Sequence, residues 1–118
     1  MSRIRPEVVA FDVNETLLDL APVRATLVEA GQTASLLDTV FARTLLTGFA
    51  AATAGTWCRF RDAFDAALAQ VSDLDAAARS DVADAFGELS PHPDVEPALR
   101  RLGEGGIRVV TLTHGSPG

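Results

Sequence analysis

The segment Val8-Val9-Ala10-Phe11-Asp12-Val13-Asn14-Glu15-Thr16-Leu17-Leu18-Asp19-Leu20 opens as four consecutive apolar residues and breaks at an aspartate. A short unbroken apolar run of this kind predicts a β-strand buried on both faces. Asp12 then stands where the chain leaves the sheet. A carboxylate there serves as a nucleophile that Thr16, one turn on, can orient, or it merely caps the following turn. A second strand is predicted from Ile107 to Leu112, after the Gly105-Gly106 turn. It runs into Thr113-His114-Gly115-Ser116-Pro117, where Gly115 lets backbone N–H groups approach an anion and Ser116-Pro117 reads as the start of a helix. Two parallel strands need about a dozen connecting residues between them. The far longer stretch here predicts an α/β chain with a helical subdomain inserted at the carboxyl end of the first strand. Ligands bind at that end of open α/β sheets, so a cleft there is the expected site.

Within the insert the apolar residues keep helical spacing. Pro22 at an early helical position opens a helix near Ala21–Ala30, closed by Gly31. Leu37, Val40, Phe41, Thr44 and Gly48 mark one stripe, and Phe60, Phe64, Leu68 and Val71 a second. A third helix is expected from Ser72 as N-cap, with Asp75 three residues on, carrying Leu74, Ala78, Val82 and Phe86 to Gly87. Ser90-Pro91-His92-Pro93 reads as a hinge stiffened by its prolines, with His92 structural. Val95, Leu99 and Leu102 make one face of a last helix. The expected divisions are 1–20 for the first strand and Asp12 loop, 21–90 for the helical insert, and 91–118 for the helix, the second strand and the start of a further helix.

The composition is globular, 47% hydrophobic and 22% charged in 118 residues. Ten basic residues against sixteen acidic ones leave a net charge of −6. With no basic tract, binding to a phosphate backbone lacks an electrostatic source, which argues against nucleic acid. Cys58 is the one cysteine, read here as a core residue in a reducing compartment. The amino terminus lacks a signal peptide's apolar centre, and Leu45 to Cys58 is too short and too interrupted to span a bilayer. A cytoplasmic chain without membrane partners is expected. Every basic residue is arginine, and there is no lysine.

Two motifs carry a resemblance. VVAFDVNETLLDL at 8–20 resembles the first motif of the haloacid dehalogenase (HAD) superfamily, and VVTLTHGSP at 109–117 its second; the block between is similar in size to that superfamily's four-helix cap. More narrowly, the chain resembles type II (S)-2-haloacid dehalogenases, over the first half of such an enzyme. The resemblance implies a HAD-like Rossmannoid parallel sheet, of which two strands are present, with an inserted helical cap. It also implies hydrolysis of a carbon–halogen bond in a 2-haloalkanoic acid through an ester on Asp12, with no metal or other cofactor, and leaves room for a homodimer of the full-length protein.

Position 14 separates reaction classes on chemical grounds. Phosphatases of this fold place a second aspartate there to protonate a leaving alkoxide. Asn14 is an amide and cannot, whereas halide leaves as a stable anion without an acid. Thr16 and Thr113 are implied as groups that hold carboxylates. Arg43 falls in the region of the family's substrate-binding arginine, and its planar fork suits a carboxylate or halide; the alternative is a solvated surface arginine, although its place beside Val40, Phe41 and Thr44 predicts partial enclosure. Phe60 either walls the halide pocket or packs in the core. His114 stands where the family carries Asn. The superfamily's third-motif lysine has no counterpart here, so this chain alone is expected to be an amino-terminal fragment that does not turn over substrate. A phosphatase of the same fold and a non-catalytic truncated relic remain the alternatives.

Overall fold

A computed structural model describes residues 3–114. Along them run β1 (Val8–Phe11), β2 (Leu18–Asp19), α1 (Ala21–Glu29), α2 (Leu36–Thr53), α3 (Phe60–Val71), α4 (Ala76–Asp84), β3 (Ser90–Pro91), α5 (Val95–Glu104) and β4 (Arg108–Thr111). The chain divides into two compact units. One comprises the first residues to Asp19 with Ser90–Thr113; the other comprises Leu20–Leu89, joined by His114.

In the first unit β1 and β4 pair in parallel, Val8 opposite Arg108 and Phe11 opposite Thr111. Leu18–Asp19 pairs antiparallel with Ser90–Pro91, which closes the base of the Asp12 loop. The α/β reading therefore holds, including a parallel crossover that contains the helical insert. The expected burial of the strands does not. Val8 is 39% exposed, Val110 40% and Leu112 74%. An apolar strand is buried only where layers cover both its faces, and among the described residues β1 has a single neighbouring strand, β4. Helix α5 places Val95, Leu99 and Leu102 half-buried on one face, yet none of its residues is fully buried.

The second unit holds the core. Val23 and Leu27 of α1, Leu37 and Val40 of α2, Phe64 and Leu68 of α3 and Val82 of α4 are all fully buried. These positions recur every three or four residues on their helices, which is why the stripes were legible. The Phe64 ring meets Phe86 edge to face at 5.1 Å, and Phe60 meets Phe86 the same way at 5.5 Å. Thr44 is the buried polar residue of this core, and its hydroxyl donates to the Val40 carbonyl at 2.8 Å. Gly31 and Gly55 end α1 and α2 with φ of +85° and +76°, where a side chain would strain the turn. No helix among the described residues is long and apolar enough to cross a membrane.

Two local expectations are corrected. Ser72 does not start α4: it closes α3, its hydroxyl donating to the Leu68 carbonyl at 2.6 Å. Asp75 is the N-cap instead, accepting from the Ala78 N–H at 2.8 Å, and beyond Asp84 the helix tightens into a 3-10 turn over Ala85–Glu88. Asp75→Ala is expected to cost about 1 kcal/mol, since the first turn loses its side-chain acceptor; a urea midpoint unchanged from wild type would show the cap to be idle. Cys58 is not in the core. It lies half-buried in the loop before α3, its thiol directed at the Arg59 carbonyl.

Candidate active site

The parallel register sets the first feature of the site. Phe11 stands opposite Thr111, and the Leu112 N–H donates to the Phe11 carbonyl at 2.8 Å. Asp12 and Thr113 therefore leave the same, carboxyl end of adjacent strands. Both are exposed. Gly115, Ser116 and Pro117, expected to form an anion-binding turn and a helix start, lie outside the described residues.

After Asp12 the chain folds back tightly. The Val13 carbonyl accepts from both the Leu17 and the Leu18 N–H, at 2.8 and 3.0 Å, and the Glu15 N–H donates to the Leu18 carbonyl at 2.8 Å. Asn14 is half-buried and bridges to Leu18. This return brings Thr16 under Asp12, and its hydroxyl donates to Asp12 Oδ2 at 3.1 Å. The pairing expected from a four-residue spacing is thus present. A pocket of about 140 Å³ opens beside the loop, lined by Phe11, Thr16, Leu17, Asp94, Val95, Ala98 and Leu99. It is mostly apolar, with Thr16 its link to Asp12.

The other candidates belong to the helical unit. Arg43 is exposed on α2, and its Nη1 donates to Gln70 Oε1 of α3 at 3.3 Å. The predicted enclosure is absent, because a step of one residue turns an α-helix by about 100° and carries Arg43 off the stripe that buries Val40 and Thr44. Phe60 is half-buried and touches Phe41, Phe64 and Phe86 with ring centroids 5.9, 6.0 and 5.5 Å away. His114 meets the Phe49 ring edge on at 5.4 Å.

One contact had no signal in the spacing. The His92 Nε2 lies 2.9 Å from the Glu15 carbonyl oxygen, across 77 residues of sequence. The two prolines around it mark a stiff segment but say nothing of what the ring touches.

No family model matches the chain, and no curated protein matches it in sequence. Solved structures do match it. The L-2-haloacid dehalogenase of Xanthobacter autotrophicus superposes with a TM-score of 0.77 at 24% identity, over 96% of this chain and 48% of its own. The same enzyme with chloropropionic acid covalently bound gives 0.78 at 23% identity, with the same coverage. A further L-2-haloacid dehalogenase gives 0.82 at 25% identity, over 95% of this chain and 54% of its own. The chain thus spans about half the length of the solved enzymes it matches, and its fold is that of the haloacid dehalogenases.

Proposed function

We infer that this chain carries the nucleophile of a hydrolase that removes halide from a 2-haloalkanoic acid. The observation that carries the reading is the Thr16 hydroxyl held against Asp12 Oδ2 at the carboxyl end of β1, with an amide and not an acid at position 14. A carboxylate with one oxygen fixed presents the other in a defined direction, as attack on carbon demands. Asp12 Oδ1 attacks the carbon bearing the halogen from behind, and the carbon–halogen electron pair leaves as halide with inversion. Water then adds to the resulting ester carbonyl. The 2-hydroxy acid departs, the Asp12 carboxylate is regenerated and a proton passes to solvent. The covalently bound chloropropionic acid of the Xanthobacter autotrophicus enzyme supports the same first step here.

The remaining roles are proposed on the resemblance and on side-chain chemistry. Arg43 receives the substrate carboxylate or the departing halide through its planar fork. Thr113 and His114 donate hydrogen bonds to the substrate carboxylate, Asn14 is a neutral contact beside it, and Phe60 is the wall of the halide pocket.

The test is incubation of the protein, as it is expressed, with 2-chloropropionate, followed by chloride release and peptide mass spectrometry. An ester on the peptide containing Asp12 is the expected result. Hydrolysis of a phosphate ester with magnesium, and no ester from the haloacid, would overturn it in favour of a phosphatase.

A further inference from the structure

The His92 ring grips the loop that carries Asp12 and Thr16, and the identity of the atom it grips matters. The acceptor is the Glu15 carbonyl, 2.9 Å from Nε2. A carbonyl cannot donate, so the shared proton belongs to Nε2. That carbonyl and the Thr16 N–H are parts of one rigid peptide plane. Holding its oxygen therefore sets the direction in which the chain enters Thr16, whose hydroxyl is 3.1 Å from Asp12 Oδ2.

Glu15 needs such a hold. With φ at 66° it is the one non-glycine residue at positive φ among the described residues. A side chain crowds the backbone there, and the conformation persists only where its surroundings impose it. The His92 segment grips the loop at further points. The His92 N–H donates to the Leu17 carbonyl at 3.0 Å, and Ser90–Pro91 pairs with Leu18–Asp19. Pro91 and Pro93 restrict the backbone on either side of His92.

We propose that His92 is a positioning residue, whose Nε2–H···O=C bond to Glu15 locks the strained turn and aims the Thr16 hydroxyl at the Asp12 carboxylate. Its catalytic consequence rests on the reading of Asp12 as nucleophile; the lock itself is a property of the turn. Two substitutions separate the donor from the ring. His92→Phe keeps an aromatic ring and loses the donor, whereas His92→Gln keeps an N–H donor on a side chain of similar reach. The first measurement is hydrogen exchange at the Leu17 and Leu18 amides, with the wild-type imidazole nitrogen spectrum assigning the proton to Nε2. His92→Phe should speed exchange at both amides about tenfold, while His92→Gln returns it to within about twofold of wild type. The second is the rate of Asp12 ester formation from 2-chloropropionate, expected to fall about tenfold in His92→Phe, with little change in the haloacid concentration that gives half the maximal rate, and to recover in His92→Gln. Unchanged exchange in His92→Phe, or a glutamine variant no better than phenylalanine, overturns the proposal. A wild-type protein that hydrolyses a phosphate ester with magnesium and forms no ester from the haloacid, with exchange responding as described, overturns the dehalogenase reading and leaves the lock standing.

Discussion

Asp12→Asn should abolish the single-turnover formation of an ester from 2-chloropropionate, lowering its rate by at least about four orders of magnitude. An amide has no anionic oxygen with which to displace halide. The substitution is nearly isosteric, and Asp12 is exposed with the Thr16 hydroxyl on one of its oxygens. The fold should therefore survive, and unchanged circular dichroism together with lost esterification would assign the defect to chemistry. An ester formed from 2-chloropropionate at a rate within about tenfold of wild type would remove Asp12 from the nucleophile's role. The reading of the site would fall with it.

Phe64→Ala is expected to cost about 3–5 kcal/mol, as large-to-small changes of a buried aromatic do. The ring is fully buried and meets both Phe60 and Phe86. A small domain has only about 5–15 kcal/mol to lose, so the helical unit should be close to unfolding at ambient temperature. Urea titration followed by helical circular dichroism checks this. A loss below about 1 kcal/mol would mean that Phe86 and its neighbours collapse into the space, and that the aromatic cluster is not the centre of the unit. Phe64→Leu should recover part of the loss, because it retains most of the buried apolar surface.

The burial of side chains explains why the effect should be concentrated in the helical unit. The fully buried apolar residues all fall between Leu20 and Ala85. The β1–β4 pair has none, and the exposed Val110 and Leu112 contribute little apolar burial. Surface ion pairs modify this pattern only slightly. Arg79 bridges to Asp65 at 2.8 Å and also donates to the Leu74 carbonyl, tying α4 to α3, but Asp65 is half exposed and such pairs contribute about 1 kcal/mol at most.

The sequence by itself determined whatever depends on neighbours a few residues apart. The period of Leu37, Val40 and Thr44 marked the inner face of α2, and that of Phe64, Leu68 and Val71 the inner face of α3. The apolar run ending at Asp12, with Thr16 four residues on, marked the carboxylate and its hydroxyl partner, which the fold brings to 3.1 Å. Even local rules faltered where two residues competed for one role, as Ser72 and Asp75 did for the N-cap of α4. Only the tertiary structure decided what depends on residues far apart or on how many layers cover an element. The strands looked doubly buried because apolar composition records what a side chain tolerates, not whether anything lies over it. Arg43 looked enclosed because adjacency in sequence is not adjacency on a helix face. His92 meets Glu15 across 77 residues, through an antiparallel pairing of two-residue strands too short to leave a periodic trace. Backbone hydrogen bonding created that contact, and every residue type but proline supplies the same backbone groups, so the side-chain sequence carried no sign of it.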